Sequence, residues 1–188
     1  MIAPEEAARA NFYALLARLF YAPPDAALLK AISTESVEGD LAGAWGELAR
    51  AAAAADPEAV REEYESAFIG TGKAPVTLYT SAYTIRYSSE VPLAELRGEL
   101  GRLGLARRAG AHEPEDHIAG LCDAMRHLIA EQKLGLEEQR RFFIRWIAPI
   151  VEPLCAAIDH APSTSFYRHV GRFAKAFLTL EQVAFEML

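Results

Sequence analysis

Residues 113–130 read EPEDHIAGLCDAMRHLIA. Ile118, Leu121, Cys122, Met125, Leu128 and Ile129 recur at intervals of three and four, the spacing of one apolar face of an α-helix. Glu113, Pro114, Glu115 and Asp116 precede that face. A proline suits a first helical turn, because its missing N–H would be unpaired there anyway, and acids favour the positive end of the helix dipole. The pattern therefore predicts a strong helix opening at Glu113 and ending at Gly135. Its apolar face is too narrow to stand alone and needs other helices to cover it.

The same period runs outward in both directions. Upstream, Pro4-Glu5-Glu6 opens a helix with Phe12, Leu15, Leu16, Leu19 and Phe20 on one face, stopped by Pro23-Pro24. Leu28, Leu29 and Ile32 form a short second stripe, and Leu41, Trp45, Leu48 and Ala52 a third. Asp56-Pro57-Glu58 reads as cap, first-turn proline and first-turn acid, and opens a helix presenting Val60, Tyr64, Ala67 and Phe68. Glycines and a proline break the pattern over 69–75. Residues 76–89 are rich in Thr, Ser and Tyr, where strand propensity competes, and read as an ordered loop with a helical turn. Pro92 opens a helix with Leu93, Leu96, Leu100 and Leu103 inward. Downstream come Phe142, Phe143, Trp146 and Ile147, then Pro149 and Pro153, which bend or restart the chain. A last helix from about Ser165 carries Phe166, Val170, Phe173, Phe177 and Leu180. No fixed repeat appears. The sum is an all-α fold, one helical bundle of about nine helices over residues 1–188, with a hinge expected at 104–112.

Hydrophobic residues make up 52% of the 188 residues, enough for a sizeable core. The formal net charge of −7 lacks the basic face that neutralises phosphates, so nucleic acid is not the expected partner. No apolar run approaches the ~20 residues of a membrane span, so no stable membrane insertion is expected. The start, Met1-Ile2-Ala3-Pro4-Glu5-Glu6, has neither the basic region nor the apolar core of a signal peptide. These features predict a cytoplasmic protein, with Cys122 and Cys155 as core thiols.

Catalytic patterns fail on spacing. Gly70-Thr71-Gly72-Lys73 resembles a phosphate loop, but the P-loop's first glycine and its Ser/Thr are replaced by Ala67 and Ala74. It reads as a glycine helix stop with a solvated lysine, leaving room only for a weak nucleotide contact. His112 through His117 superficially suggest zinc, yet the position four after His112 is Asp116 and Pro114 interrupts the motif. Asp116 and His117 either close backbone N–H groups of a first turn or form an acid–imidazole pair at a groove edge. Tyr79, Ser81, Tyr83 and Tyr87 either pack beneath their loop or wall a peptide site. No nucleophilic set stands out, and the protein is not expected to be an enzyme. A metal- or nucleotide-dependent hydrolase using His112, Glu113, Asp116 and His117 is the reading from a different class.

At these residues the chain resembles the TorD/DmsD/NarJ family of redox-enzyme maturation chaperones. Glu113-Pro114-Glu115-Asp116-His117 is similar to that family's Glu-Pro-x-Asp-His element. Tyr64-Glu65-Ser66-Ala67-Phe68-Ile69-Gly70 resembles its Tyr-x-x-x-Phe-x-Gly segment, and Tyr79-Thr80-Ser81-Ala82-Tyr83 its aromatic-Glu-Ser-x-Tyr signature. Thr80 stands where that signature has an acid, and Tyr79 where many relatives carry tryptophan. A fourth likeness runs from Trp146-Ile147-Ala148-Pro149 to Phe166-Tyr167. The resemblance implies a TorD-like helical fold and a cytoplasmic chaperone. Its implied partner is the apoenzyme of a molybdenum-cofactor oxidoreductase, commonly through the twin-arginine leader, held until cofactor is inserted and export can proceed. A nitrate-reductase-type chaperone for a non-exported client is the alternative within the same fold. It implies no resident cofactor, weak guanine nucleotide binding in some members, and monomers or domain-swapped dimers. Asp116 would then pair with a leader arginine and His117 would orient it or bond a leader carbonyl. Glu113, Tyr79, Ser81, Tyr83 and Tyr64 complete the expected peptide-binding set.

Overall fold

Each apolar stripe becomes a helix, and the way the stripes face one another decides the architecture. The structure, a computed structural model, describes residues 2–70, 74–84, 92–106 and 113–188. The elements are α1 (Pro4–Tyr21), α2 (Ala26–Thr34), α3 (Ala42–Ala54), α4 (Pro57–Tyr64), α5 (Ser81–Thr84) and α6 (Pro92–Arg102). They continue with α7 (Ile118–Ala130), α8 (Leu136–Trp146), α9 (Ala148–His160) and α10 (Phe166–Glu186). A 3₁₀ turn (Gly39–Leu41) leads into α3, and a π turn (Glu65–Ile69) extends α4 to Gly70. The ten α-helices among the described residues exceed the expected nine by the single turn α5, the helical turn foreseen in the 76–89 loop.

Local chemistry explains most boundaries. Asp25 and Asp56 cap α2 and α4, accepting from the N–H groups of Leu28 at 2.8 Å and Ala59 at 2.9 Å. Gly70 adopts φ +59°, the left-handed conformation that ends a helix and that glycine enters without steric cost. Pro149 sits in the first turn of α9 and restarts the chain there, whereas Pro153 is carried inside α9 without breaking it.

The core lies between α1, α7 and α10. α1 packs along α7, and α10 packs on α9 and α3. Tyr13, Leu16, Leu19 and Phe20 of α1 meet Leu121, Cys122, Met125 and Leu128 of α7 in one buried cluster. Phe12, Trp45, Phe173 and Phe177 interlock with ring centroids 5.3–6.5 Å apart. A charged tie reaches into that core. The Arg9 guanidinium bonds both Glu181 carboxylate oxygens at 2.7 Å, and the Tyr13 hydroxyl donates to the same carboxylate at 3.0 Å.

The central helix departs from the sequence reading at both ends. α7 begins at Ile118, not at Glu113, and stops at Ala130. Residues 114–117 form a turn, closed by the His117 N–H to Pro114 carbonyl bond at 3.2 Å. The backbone of 116–118 is drawn instead into a bridge with 78–80. Thr80 N–H donates to the Asp116 carbonyl and Leu78 carbonyl accepts from Ile118 N–H, both at 2.9 Å. The acids therefore do not serve a helical first turn; the His117 side chain does. Gly135 starts α8 rather than ending α7.

The expected hinge begins at Gly104, whose φ of +71° closes α6, with Leu105 N–H bonded to the Leu100 carbonyl at 2.8 Å. Its remainder, 107–112 with His112, lies outside the described residues, as do Thr71, Gly72, Lys73 and Tyr87.

Candidate functional site

His117 occupies the N-cap of α7, and its Nδ1 accepts the Ala119 N–H at 3.2 Å. A nitrogen that accepts cannot carry the proton, so the neutral ring holds it on Nε2, an assignment made from the hydrogen bond. Burial holds the His117 pKa below the usual histidine value, with the Glu113 and Asp116 carboxylates acting in the opposite sense. Tyr79 packs edge-on against the imidazole, with centroids 5.3 Å apart and planes at 82°. Its hydroxyl donates to Glu113 Oε2, and that bond, with partial burial, raises the phenol to about 12. The bridge thus aligns His117, Glu113 and Tyr79 as one unit.

In front of this unit runs a groove of about 690 Å³ between α1 and α7. Its floor is made of small residues: Ala14 and Ala17 from α1, Ala119, Gly120 and Ala124 from α7. Tyr21, largely exposed, stands at one end of α1, and Leu100 and Leu105 form the facing wall. Glu113, Pro114, Glu115 and His117 form the end, with Asp123 and His127 farther along α7. Arg18 and Arg126 lie on the rim and are paired with Asp25 and Asp123 respectively. A floor of alanine and glycine lets another backbone come close, and the facing leucines suit an apolar occupant.

The expected site residues divide. Glu113 and His117 line the groove, and Tyr79 supports both from behind. Asp116, the next residue, faces the other way. It lines a separate cavity with Thr80 and accepts the Ser81 N–H at Oδ2, 3.2 Å away. The acid and the imidazole therefore do not meet one ligand atom together. Tyr83 packs against the core and donates to the Thr77 carbonyl at 2.9 Å. Tyr64 is 6% exposed, and its hydroxyl donates to the Phe20 and Tyr21 carbonyls at 3.0 Å. That bond secures the end of α1, and burial raises the phenol to about 12.

The groove floor escaped the sequence reading. Its only trace there is small residues set at three- and four-residue intervals off the buried stripe, at 14 and 17 on α1 and at 120 and 124 on α7. Among the described residues no cluster of three metal-ligating side chains occurs, and no helix is long and apolar enough to cross a membrane.

Comparisons with known proteins bear on this arrangement. The family model described as nitrate reductase delta subunit matches residues 34–156. Among solved structures, one from Archaeoglobus fulgidus described as a redox enzyme maturation protein superposes with a TM-score of 0.57. It is 24% identical, and the match covers 93% of each chain. That likeness bears on the fold, which it supports over nearly the whole length. No curated protein matches the sequence.

Proposed function

This chain belongs to the nitrate reductase delta subunit family, and on that premise we propose that it is a cytoplasmic maturation chaperone for a molybdenum-cofactor oxidoreductase. It holds the client's apo form through a segment seated in the α1–α7 groove until cofactor is inserted, and so delays export of an exported client. The observation that carries this reading is the groove itself. It holds about 690 Å³, is floored by alanine and glycine of α1 and α7, and is faced by Leu100 and Leu105. A leader's apolar stretch, folded as a helix, can bring its backbone close to such a floor. The neutral His117 has its Nε2–H available to donate to a ligand carbonyl, because Nδ1 is committed to Ala119. Glu113, held by Tyr79, adds negative potential at that end.

We read this site as one for recognition. Of the two groove histidines, His117 is buried and caps α7 and His127 lies farther along that helix, and both cysteines are buried thiols, Cys155 raised to about 12 by burial.

The family's description names nitrate reductase, and a non-exported nitrate reductase without a cleaved leader is the second client type. One experiment separates the two. Titration calorimetry is run with a molybdoenzyme leader peptide from the same genome, a twin-lysine version, and the leaderless amino-terminal segment of a nitrate reductase. Micromolar binding of the leader that weakens with lysine supports the exported client. Binding of the leaderless segment alone supports the nitrate-reductase type. Absence of binding by all three refutes the groove as a client site.

A further inference from the structure

α10 buries one side against α9, α3 and α1 and leaves another to solvent. Three large apolar side chains stand on that open side. Leu180 is 38% exposed, Val183 46% and Met187, at the C-cap, 77%. They follow the half-buried Ala176 at intervals of four, three and four, the seam spacing of a helix that pairs with another helix. Apolar side chains exposed in a cluster, and not singly, mark a contact surface. Upstream the same seam is already covered, with Phe173 5.3 Å from Trp45 of α3. The open part therefore begins at Ala176.

The flanks of the seam decide between occupants. Along one flank Arg172, Thr179 and Glu186 recur every seven residues, and all three are exposed. The other flank carries Phe177 and Ala184 and no charge. In a parallel helix pair unlike flanks meet, and these charges would find no partner; in an antiparallel pair like flanks meet. Arg172 and Glu186 are equidistant from Thr179. An antiparallel copy of α10 centred there sets each Arg172 beside the other copy's Glu186. The same register sets Leu180 over the copy's small Ala176. The helix is thus complementary to itself under a twofold rotation, as an isologous contact requires. Within one chain Arg172 pairs with Asp159 at 2.9 Å, and Glu186 accepts from Gln182 Nε2 at 3.0 Å. Exposed ties of that kind contribute little and yield readily to a new partner.

We infer that α10 is a self-association surface, on which two copies of this chain pair antiparallel about a twofold axis at Thr179 and cover Leu180, Val183 and Met187. No element is exchanged between the copies, which sets this dimer apart from a domain-swapped one. None of these residues lines the α1–α7 groove, so the dimer is independent of the proposed function. The contact runs over roughly 20 Å of one helix, less than a permanent interface needs, so the dimer is weak and reversible, with a Kd of about 10–300 µM.

Sedimentation equilibrium at low salt, from about 10 µM to about 1 mM protein, is expected to show monomer and dimer in exchange. Arg172→Glu and Glu186→Arg each turn two attractions into two repulsions and should weaken association about tenfold. The double variant Arg172→Glu/Glu186→Arg restores both pairs with their signs exchanged. It should return to within about threefold of the parent, a rescue that damage to the fold cannot produce. Thr179→Cys, on the axis, should join to its own copy through a short bismaleimide, whereas Lys30→Cys, exposed on α2, should not; the native Cys122 and Cys155 are buried. A parent that stays monomeric throughout the range overturns the assignment. So do single variants that associate like the parent, a double variant no better than the singles, or equal cross-linking from both introduced cysteines. A dimer that survives dilution and ignores the charge variants is a swapped one and overturns it too. A monomer whose Leu180→Glu variant loses client peptide gives the stripe to the client instead of a second copy.

Discussion

Gly120→Leu separates stability from binding. Gly120 is exposed, the third residue of α7, and a Cβ built there meets nothing closer than the Glu115 carbonyl at 3.5 Å, an ordinary contact. Glycine in a helix costs about 1 kcal/mol against alanine, and leucine is nearly as favourable as alanine, so the variant gains about 0.5–1 kcal/mol. In a chain of this size each kcal/mol moves Tm by about 2–4 °C, giving a rise of about 1–4 °C. The new side chain, however, projects into the groove floor. A client residue excluded from it forfeits roughly 1.5–3 kcal/mol of apolar burial, or about ten- to 150-fold in affinity. Gly120→Ala is the control, with the same gain in stability and affinity within a few-fold of the parent. Scanning calorimetry gives the first quantity and titration with the client peptide the second. A folded Gly120→Leu protein that binds its peptide with parental affinity would show that the client does not sit between α1 and α7.

Gly171→Ala is expected to act in the opposite sense. A Cβ there would lie 2.9 Å from Ile158 Cγ2, where α10 crosses α9, and overpacking costs about 1–3 kcal/mol, more than helix propensity returns; urea unfolding should show a lower midpoint at unchanged m. Glu63 caps α10 from α4, its carboxylate accepting the N–H groups of Ser165, Phe166 and Tyr167 at 2.7–3.0 Å. Glu63→Ala should lose about 2–4 kcal/mol in denaturant unfolding and Glu63→Gln less, because one oxygen acceptor remains. The lowered His117 pKa makes a pH prediction. Between the folded value and the ordinary value near 6.5 the unfolded chain binds the extra proton, so stability is full above about pH 6.5 and falls as the medium is acidified through that window. His117→Asn keeps an N-cap acceptor but cannot titrate, and the difference in stability between the two proteins should shrink with acidification below pH 6.5.

Much of the fold is legible because helical periodicity is local. The buried faces of α1, α3, α7 and α10 correspond to stripes read directly from spacing, and Asp25 and Asp56 cap helices for reasons internal to five residues. The start of α7 was not legible, because the competing partner of 116–118 is the 78–80 backbone, some 38 residues earlier, and because histidine is an uncommon cap. The candidate site was legible in its motif and not in its geometry. Glu113 and His117 reach the groove, but bridge backbone alternates its side chains, so the adjacent Asp116 is turned to a different cavity. The alanines and glycine of the floor carry no chemistry that a sequence pattern could single out, and Tyr64 and Tyr83, polar enough to suggest a binding wall, spend their hydroxyls on backbone carbonyls.

The α1 side of the groove floor is secured from the far end of the chain. The last carbonyls of α1 are satisfied by Tyr64 and by Tyr167, whose hydroxyl donates to Leu19 at 3.0 Å, and the other end is clamped through Arg9 by Glu181. On a ribosome these partners emerge in order, and α10 comes last. A nascent chain that has already released α1 and α7 still lacks the two clamps that tie α1 to α10. Both ends of α1 are therefore fully tied down only once α10 has been synthesised and packed.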